Sequence, residues 1–365
     1  METLIVTGAS GALGQRFVAD WLRARPDAHA IVLVRSETAA RACEAAWRHA
    51  RRDAVRFVRA DLLDAQSMRD AARALPSVEH AVAVHLAADV SWHKSFDEMR
   101  EMNVDGTLRF ADFARQVAHA CHFIYVSTAF TRMHDWVYRN GYEESKAAGE
   151  RALRTQFDAQ LPISTFSCSL VVGDSVDGAI GRFHGLYPLI RFIASLAPPF
   201  LVGNRLGRMD IVPIDWVADE LVQLAHRCAA GAPPSQVVAA AGEARLTYER
   251  IVRLIESRLD LARHAAGLPA LDPVPILRMR QWAFLKRSLS TWRPDGISTG
   301  DFRYFERLLQ IYGAYAESET VRAPENTTRP APPCEQVLPL AVDYWLAHAP
   351  DSQTGLKRQL ATGTV

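Results

Sequence analysis

The chain opens with Leu4-Ile5-Val6-Thr7-Gly8-Ala9-Ser10-Gly11-Ala12-Leu13-Gly14, and this stretch decides the fold. An apolar run leads into three glycines, and an amphipathic segment follows until Pro26 ends it. In such a strand, turn and helix, the first glycine allows the tight turn, the second lets the backbone approach a pyrophosphate, and the third lets the helix pack on the sheet. Free N–H groups at the start of the helix favour negative charge there. We predict a dinucleotide-binding turn rather than a tight connection alone, with cofactor contacts from Gly8, Ser10, Gly11, Ala12, Leu13 and Gly14.

Composition narrows the function classes. With 365 residues and 49% hydrophobic content, the chain is long enough to bury a full core. Its 42 basic and 41 acidic residues give a formal net charge of +1, which offers no electrostatic case for nucleic-acid binding. The five cysteines include no pair with the close spacing of metal or redox motifs. We therefore predict reduced thiols and no metal site.

Short apolar runs recur along the chain with helical stretches between them. Strands that alternate with helices form a parallel sheet that helices cover on both faces. The predicted fold class is α/β, a doubly wound Rossmann-type parallel sheet with a smaller, mostly helical C-terminal substrate lobe. The predicted strands lie at 4–6, 31–34, 55–58, 81–86, 123–126, 163–172 and 237–241, and the clearest helices at 13–25, 39–52, 67–75 and 216–228.

The pattern changes after residue 173, where glycine, proline and aromatic residues become frequent. From residue 244 onward the sequence predicts helices and loops without clear strands. We assign residues 1–175 and 209–243 to a nucleotide-binding domain, and residues 176–208 and 244–350 to a substrate-binding lobe. The polar segment 351–365 is expected to be a disordered tail.

The sequence gives no sign of export or of a membrane span. The first predicted strand begins so close to Met1 that no charged and apolar signal region precedes it. The longest apolar segment, 186–202, is interrupted by prolines and an arginine, which is wrong for a span of roughly 20 apolar residues. We expect a cytoplasmic protein with no transmembrane segment.

Tyr142 and Lys146 lie four positions apart, so on a helix they share one face. An ammonium group beside a phenol favours the ionised form of the phenol. Lowering a tyrosine pKa from about 10 to near neutrality takes roughly 4 kcal/mol of differential stabilisation. Such a pair alone is usually structural. Together with the glycine turn it indicates a catalytic pair in a redox enzyme.

Ser127 and Thr128 end the predicted fifth strand, where ligands bind in open α/β sheets. A hydroxyl group there can donate to a substrate carbonyl as it gains charge on hydride attack. One of the two hydroxyls is expected instead to cap the next turn. We predict that Thr128 is the catalytic hydroxyl and that Ser127 lies nearer the cofactor.

These residues resemble the extended short-chain dehydrogenases/reductases over residues 1 to about 245. Within that family, the chain looks most like the thioester reductase and fatty acyl reductase branch, whose NAD-binding domains are male-sterility-like. The resemblance rests on the glycine turn and on Asp61-Leu62, His85-Leu86-Ala87-Ala88-Asp89-Val90, Asn103-Val104-Asp105-Gly106-Thr107, Val126-Ser127-Thr128-Ala129-Phe130, Tyr142 with Lys146, Leu170-Val171-Val172-Gly173-Asp174-Ser175 and Asp210-Ile211-Val212-Pro213-Ile214-Asp215-Trp216-Val217-Ala218.

The resemblance implies a role for each matching residue. Tyr142 would be the general acid, Lys146 would hold the nicotinamide ribose, and Asn103 would brace the site. The remaining residues would line the cofactor, with adenine beside Asp61 and Leu62, ribose beside Ala87 and Ala88, and nicotinamide beside Ser169, Leu170 and Val171.

One segment departs from the branch. The branch often has Arg-Pro-Ser before its last strand at the site, whereas this chain has Ser167-Cys168-Ser169. A polar anchor is therefore missing, or another residue supplies it.

The residue after the second predicted strand indicates which cofactor is used. An acid about 20 residues beyond the glycines would bind the ribose hydroxyls of NAD. Here that position is Arg35. A guanidinium group suits the 2′-phosphate of the ribose, because it can bind the phosphate with two parallel hydrogen bonds. We predict NADPH.

Two features of the substrate lobe leave alternatives open. The apolar residues of 183–202 form either the wall of an apolar channel or ordinary packing. Residues 274–294 carry basic and aromatic side chains and no acid, and they are either a solvated helical face or a surface for the phosphates of coenzyme A or for an acidic carrier protein. The residues concerned are Arg278, Arg280, Lys286, Arg287, Arg293, Trp282, Phe284 and Trp292.

The leading hypothesis is the reduction of an acyl thioester, held by coenzyme A or a carrier protein, by NADPH to an aldehyde. Whether a second NADPH then reduces the aldehyde to the alcohol stays open. The main alternative is an NADPH-dependent ketone or aldehyde reductase, since both reactions begin with hydride delivery to a carbonyl. A sugar epimerase or dehydratase is disfavoured because residues 167–174 lack the Arg and the Tyr-Gly-Pro-like turn of those branches. Retention of Tyr142 and Lys146 disfavours a dinucleotide-sensing regulator. The oligomeric state stays open.

Overall fold

The computed structural model describes residues 2–47, 52–132, 138–196, 198–288, 299–317 and 323–349. The predicted tail at 351–365 lies outside these residues. The described residues form two compact units. Unit 1 takes its residues from Met1–Ser169, Ile214–Ala240 and Pro324–Pro330, and unit 2 from Leu170–Pro213, Ala241–Ala323 and the chain from Ala331 on. The domain boundaries given above stay a prediction, because compactness does not show which unit binds a cofactor.

Unit 1 is built on one seven-stranded parallel sheet, which confirms the predicted fold class. The strand order is β11-β6-β5-β4-β1-β2-β3. The strands are β1 (Thr3–Thr7), β2 (His29–Val34), β3 (Val55–Arg59), β4 (Val78–His85), β5 (Ala118–Thr128), β6 (Ile163–Cys168) and β11 (Gln236–Ala239). The helices are α1 (Ala12–Ala24), α2 (Glu37–Ala46), α3 (Ala65–Arg73), α4 (Phe96–Arg100), α5 (Gly106–Val117), α6 (Gly141–Phe157) and α8 (Ile214–Ala229).

Strand β1 occupies the centre of this sheet. Leu4, Ile5 and Val6 have no exposed surface, as expected for a strand whose apolar run is covered by helices on both faces. β1 pairs with β2 on one side and with β4 on the other, so the strand order reverses there. Ligands of open α/β sheets bind at this reversal, outside the carboxyl ends of the strands. The glycine turn after β1 therefore lies where a nucleotide is expected.

The predicted strand at 163–172 is wrong as a single element, because the chain changes partners at Ser169. The backbone N–H of Ser169 donates to the carbonyl of Ala239, at 3.1 Å. The N–H of the next residue, Leu170, donates to the carbonyl of Asp210, at 3.2 Å. The run is thus divided between β6 of unit 1 and β7 (Leu170–Val172) of unit 2. Periodicity does not show which neighbour a buried run pairs with.

Unit 2 is mostly helical, with small two-stranded sheets. We predicted no clear strands after residue 244, and this is wrong in detail, because that part of the chain contains the strands β12 and β13, each two residues long. None of the described helices is long and apolar enough to cross a bilayer. The elements are β7, α7 (Tyr187–Leu196), β8 (Leu201–Val202), β9 (Arg208–Met209), β10 (Ile211–Pro213), β12 (Leu246–Thr247), α9 (Tyr248–Ala265), β13 (Ile276–Leu277), α10 (Met279–Ser288), α11 (Thr299–Ala316) and α12 (Cys334–His348).

The apolar segment around α7 packs as the core of unit 2. Leu186, Leu189 and Ile190 have no exposed surface, and Tyr187 is almost fully buried. Side chains that wall an open channel would keep part of their surface exposed. The structure therefore favours ordinary packing over an apolar channel for this segment.

A short segment near the C-terminus belongs to unit 1 although the chain on either side of it belongs to unit 2. Glu325 forms a bridge with Val238 of the edge strand β11. The fully buried carboxylate of Glu220 on α8 accepts hydrogen bonds from the N–H and hydroxyl of Thr328, both at 2.7 Å, and from the N–H of Arg329 at 3.1 Å. The segment covers the sheet edge and blocks further strand pairing there.

Candidate active site

The glycine turn after β1 has the tight geometry that its sequence predicts. Gly8 adopts φ 74°, and a Cβ there would lie 2.5 Å from the backbone N of Ala87. A Cβ on Gly14 would lie 2.3 Å from the carbonyl oxygen of Gly8. A Cβ on Gly11 would meet only that same oxygen, at 3.2 Å, and otherwise open space. The open side of Gly11 is thus the place where a pyrophosphate can approach the backbone.

The start of α1 is suited to bind that anion. Gly11 is the N-cap residue, and no side chain in the described part of the chain caps the helix. The first N–H groups of a helix have no partner within it, and the helix dipole adds a partial positive charge. Ser10, Ala12 and Leu13 are partly exposed beside these groups. The turn therefore fits the diphosphate of a dinucleotide.

A buried histidine connects the first strand to the helix that carries Asn103. His85 is fully buried, and its Nδ1 lies 2.8 Å from Thr7 Oγ1 while its Nε2 lies 3.0 Å from Thr107 Oγ1. Thr107 donates its only hydroxyl proton to the carbonyl of Asn103, at 2.8 Å, so it accepts from the Nε2–H of His85. Burial, and next the charge of Lys146, hold the pKa of His85 well below its usual value. His85 is therefore a neutral linker.

Asn103 joins the loop after β4 to helix α6, which carries Tyr142 and Lys146. It lies fully buried in a π-helical segment, Glu101–Asp105. Its Oδ1 accepts from the N–H of Asp89, at 2.7 Å, and its Nδ2 donates to the carbonyl of Asp89 and to Ser145 Oγ, at 2.9 and 2.8 Å. Ser145 in turn donates to the carbonyl of Tyr142, at 2.9 Å. Asn103 is thus connected to the backbone of Tyr142 through Ser145, and its bracing role stays a prediction.

The first turn of α6 holds Tyr142 in place. Asn140 caps the helix by accepting from the N–H of Glu143, at 3.0 Å. The buried carboxylate of Glu143 pairs with Arg139, at 3.2 Å. Gly141 packs so tightly on the backbone of residues 94–96 that a Cβ would lie 2.5 Å from the carbonyl carbon of Ser95. Together these contacts hold the start of α6 against the loop that follows β4.

Lys146 lies one turn further along α6, and it is buried. Its Nζ lies 4.1 Å from the centre of the Tyr125 ring, and the Tyr125 hydroxyl donates to the carbonyl of Lys146, at 3.0 Å. An aromatic face stabilises an ammonium group electrostatically. Burial nevertheless lowers the pKa of Lys146 to about 7. Near neutral pH the side chain is therefore divided between its charged and neutral forms.

The expected lowering of the Tyr142 pKa is wrong. Burial raises the pKa of Tyr142 above its ordinary value, and Cys168 and Glu143 add to the rise. The burial that keeps the phenol protonated also neutralises part of the Lys146 population, which weakens the effect that the sequence predicts. A protonated phenol at neutral pH is the form that donates a proton, as a reduction requires.

A pH-dependent stability follows from Lys146. Its pKa is about 7 in the folded protein against an ordinary value of 10.5, so between these pH values the unfolded chain binds more protons. The contribution of Lys146 to the free energy of unfolding therefore rises as the pH increases from 7 to about 10. Below pH 7 the buried side chain is charged, and its burial destabilises the folded state by the full amount. In Lys146→Met this contribution disappears. The free energy of unfolding, measured by urea titration at several pH values, checks it.

The matched control is Lys94→Met. Lys94 is exposed in part and pairs with Asp89 at 2.6 Å, which raises its pKa. Between pH 7 and 10 this group stays charged in both states, so the control is expected to keep the slope of the wild type. Equal slopes in Lys146→Met and the wild type would contradict the predicted burial effect.

The two hydroxyls at the end of β5 differ in their surroundings. Thr128 Oγ1 accepts from the N–H of Phe130, at 3.4 Å, so the capping role falls on Thr128 and its own proton stays available to donate. Ser127 Oγ is buried and has no hydrogen-bond partner among the described residues. That Thr128 is catalytic and that Ser127 lies nearer the cofactor both stay predictions.

The structure distributes the remaining predicted cofactor residues between the two units. Arg35 is exposed directly after β2. Asp61 caps its own turn by accepting from the N–H of Leu63, at 3.0 Å. Ala87, Ala88, Leu62 and Ser169 also belong to unit 1, whereas Leu170 and Val171 lie on β7 of unit 2. Their roles stay predictions.

Cys168 lies beside Thr128 and Ser127, and the sequence analysis did not assign a role to it. It lies opposite Thr128 in the register of β5 and β6, and its Sγ is 3.9 Å from the carbonyl of Ser127. Burial raises the pKa of the thiol to about 11, although Lys146 acts in the opposite sense. The only sequence signal for Cys168 was that residues 167–169 depart from the Arg-Pro-Ser of the branch. His85 appeared in the sequence analysis only as part of a motif, and its role as a buried hydrogen-bonding residue was not predicted.

Comparisons with known proteins agree with this geometry. A family model described as male sterility protein, an NAD-binding domain, matches residues 6–137 and 134–221. The chain is 26% identical over 295 residues to the polyketide synthase-nonribosomal peptide synthetase hybrid himA of Aspergillus japonicus, covering 72% of this chain and 7% of that protein. It is 25% identical over 252 residues to the isonitrile lipopeptide synthase of Streptomyces coeruleorubidus, covering 61% of this chain and 16% of that protein. The chain therefore spans only a small part of either relative.

A solved structure shares the fold. The terminal R domain from the myxalamid PKS-NRPS biosynthetic pathway superposes with a TM-score of 0.68 at 17% identity, covering 96% of this chain and 91% of that one. The resemblance inferred from the sequence motifs is confirmed by the family match.

Proposed function

Because this chain belongs to the male sterility protein family of NAD-binding domains, and is thus an oxidoreductase with a nicotinamide cofactor, we propose that it reduces an acyl thioester with NADPH. The product is an aldehyde and a free thiol, and a second reduction converts the aldehyde into the alcohol. The acyl carrier is coenzyme A or a carrier protein.

The cofactor would be held by residues of unit 1 that fit it. The N–H groups at the start of α1 would bind its diphosphate, the open side of Gly11 would allow the close approach, and Lys146 would bind the nicotinamide ribose. When bound, the cofactor supplies hydride for the carbonyl carbon. The protein has to place the thioester carbonyl beside it and to stabilise the oxygen as it gains negative charge.

Thr128 and Tyr142 would stabilise the carbonyl oxygen of the thioester. The hydroxyl of Thr128 donates a hydrogen bond to it, and the phenol of Tyr142 donates a hydrogen bond and then its proton. Carbon gains the hydride and oxygen gains the proton, which gives a hemithioacetal. The hydroxyl proton of this species returns to the phenolate of Tyr142 as the C–S bond breaks, which gives the aldehyde and a thiolate. The thiolate takes a proton from water and leaves as the free thiol. The phenol of Tyr142 begins each cycle protonated, as this direction requires, because burial raises its pKa further above neutral pH.

The observation that supports a thioester substrate is the similarity of this chain to parts of two large synthases. Both curated relatives are large synthases, a polyketide synthase-nonribosomal peptide synthetase hybrid and a lipopeptide synthase. The branch that the motifs resemble is that of the thioester and fatty acyl reductases. The same Thr128, Tyr142 and Lys146 could equally reduce a simple aldehyde or ketone, so the substrate has to be tested directly.

The test compares three substrates with eight-carbon chains, which are a thioester, an aldehyde and a ketone. NADPH oxidation is followed with octanoyl-CoA, with octanal and with 2-octanone, and free thiol is measured in the first reaction. Thiol release in step with NADPH loss supports the proposal, and a ratio of two NADPH per thiol indicates reduction to the alcohol. Consumption of octanal or 2-octanone without any thioester turnover would instead support the carbonyl reductase alternative.

The choice of NADPH is proposed from Arg35, and Arg35→Asp tests it. A hydrogen bond between charged partners contributes about 1.5 to 3 kcal/mol, so kcat/KM for NADPH is expected to fall on the order of tenfold to a hundredfold. The new carboxylate suits the ribose hydroxyls of NADH, whose kcat/KM is expected to rise. Steady-state kinetics with both cofactors measure the change.

Arg41→Asp is the matched control, because Arg41 is exposed on the neighbouring helix α2 and pairs only with Glu37 among the described residues. It is expected to keep the cofactor preference of the wild type. An unchanged preference in Arg35→Asp would contradict the assignment of NADPH to this residue.

A further inference from the structure

Helix α10 of unit 2 presents a stripe of basic and aromatic side chains to solvent. Arg280, Phe284 and Arg287 follow one another at spacings of four and three residues, which places them on one face of the helix. All three are exposed, and Phe284 keeps 69% of its surface accessible. Trp282 is 4% exposed on the opposite face and packs against Phe200, with ring centres 5.6 Å apart. The exposed stripe is therefore separate from the packing face.

Charge accumulates around this stripe. Residues 273–288 contain four basic side chains and no acid, in a chain whose net charge is only +1. Helix α11 adds Arg303 and Arg307, one turn apart and both exposed. Lys286 of α10 pairs with Glu306 of α11, at 3.4 Å, which brings the two helices together. The sequence of α11 also contains Asp301, so its own formal charge is zero and the excess of positive charge comes from residues 273–288. Arg293 and Trp292, which the sequence analysis grouped with this segment, lie outside the described residues.

The arginines here differ from those on α9. Arg250 and Arg258 of that helix pair with Glu335 and Asp343 of α12. In the described part of the chain, the side chains of Arg278, Arg280, Arg303 and Arg307 form no hydrogen bond or ion pair. Guanidinium groups bind carboxylates and phosphates with two parallel hydrogen bonds. The guanidinium groups of Arg278, Arg280, Arg303 and Arg307 are therefore available to bind carboxylates, and Phe284 is exposed on the same helix as Arg280.

We propose that α10 and α11 form the docking surface for an acidic carrier protein that brings the acyl thioester to this enzyme. Carboxylates on a helix of the carrier would pair with Arg280 and its neighbours. Phe284 would be the central anchor of the interface and would insert into the apolar surface that lies between those carboxylates on the carrier. The inference rests on the proposed function, because a docked carrier is required only if the substrate is a tethered thioester.

The composition of the stripe favours a protein over a lipid surface. A helix that lies in a membrane interface buries a broad apolar face. Here Phe284 is the only large apolar side chain of α10 that is largely exposed among its described residues, since Trp282 is buried and Leu285 is half-buried. The positive charges are mainly arginines, whose planar group suits paired carboxylates. Vesicle binding is the alternative outcome of the test below.

The test compares the kinetics of the wild type, Arg280→Glu and Phe284→Ala. Each is assayed with one acyl group attached either to a carrier protein or to a small thiol. Octanoyl-loaded acidic acyl carrier protein supplies the acidic partner for the docking surface, whereas octanoyl-N-acetylcysteamine offers the same thioester without protein or phosphate. Arg280→Glu is expected to lower kcat/KM for the carrier-bound group on the order of tenfold to a hundredfold, mainly through KM, and Phe284→Ala about tenfold. Turnover of the small thioester is expected to stay within about twofold. Arg73→Glu, an exposed charge reversal on α3, is the matched control and is expected to match the wild type on both substrates.

Binding is measured separately, by titrating fluorescently labelled holo carrier protein without an acyl group. This arm does not depend on turnover. Weaker carrier binding to Arg280→Glu supports the docking surface even if no thioester is reduced, in which case the proposed function alone fails. Carrier binding and carrier turnover equal to those of the wild type would overturn the docking surface while the proposed function stands. Binding to phosphatidylglycerol vesicles that Arg280→Glu abolishes, without any carrier binding, would also overturn it.

Discussion

The Tyr142→Phe variant is expected to lose about two to four orders of magnitude in kcat with an acyl thioester, while it keeps its fold and its affinity for the cofactor. The substitution removes only the phenolic oxygen, which donates the proton to the carbonyl oxygen in the proposed mechanism. Among the described residues that oxygen has no hydrogen-bond partner, so its removal breaks no contact that stabilises the fold. Steady-state kinetics, cofactor titration and a thermal melt measure the three properties.

Tyr138→Phe is the matched control for this experiment. Its phenol accepts a hydrogen bond from Arg151, at 3.1 Å, and lies four residues before Tyr142. It is expected to keep kcat within about twofold. A Tyr142→Phe enzyme with kcat close to that of the wild type would rule out Tyr142 as the general acid.

The second large effect concerns the glycine turn, where Gly14→Ala is expected to destabilise the fold. Alanine in a helix is normally favoured over glycine by roughly 0.5 to 1 kcal/mol. Here the new Cβ would lie 2.3 Å from the carbonyl oxygen of Gly8 and 2.8 Å from the Cα of Ala9, both backbone atoms of the turn. Overpacking of this kind costs about 1 to 3 kcal/mol or more, so a net loss on the order of 2 kcal/mol is expected. Urea unfolding measures it.

Gly11→Ala separates packing from cofactor binding. Its Cβ would meet only the carbonyl oxygen of Gly8, at 3.2 Å, so stability is expected to stay within about 1 kcal/mol of the wild type. The methyl group would occupy the open side where the pyrophosphate approaches, and the affinity for NADPH is expected to fall at least tenfold. Equal stability of Gly14→Ala and the wild type would contradict the packing role of Gly14, and unchanged NADPH affinity in Gly11→Ala would contradict the approach of the pyrophosphate there.

The sheet was predictable because its signals are local. The run before Gly8, the glycine spacing and the alternation of apolar runs with helical stretches depend only on residues close together in the sequence. Tyr142 and Lys146 were also within reach, because a spacing of four on a helix places two side chains on one face. These features identified the fold class and the residues that α6 and β5 bring to one edge of the sheet.

The features that sequence reasoning missed depend on contacts far apart in the chain. The break at Ser169 arises because Leu170 finds its partner at Asp210. The return of residues 324–330 to the edge of β11 depends on Glu220, more than a hundred positions earlier. The pKa of Tyr142 is decided by burial, which the spacing to Lys146 does not report. Such effects follow from tertiary packing, not from local pattern.

Transfer of the labelled hydride tests the central claim most directly. The protein is incubated with octanoyl-CoA and NADPH that carries deuterium at the transferred position, and the products are analysed by mass spectrometry beside a thiol assay. The account predicts octanal with one deuterium at C1, or octanol with two, and one free thiol for each acyl group reduced. Thioester that is left intact, or thiol released without deuterium at C1, would contradict the claim that this enzyme delivers hydride to a thioester carbonyl.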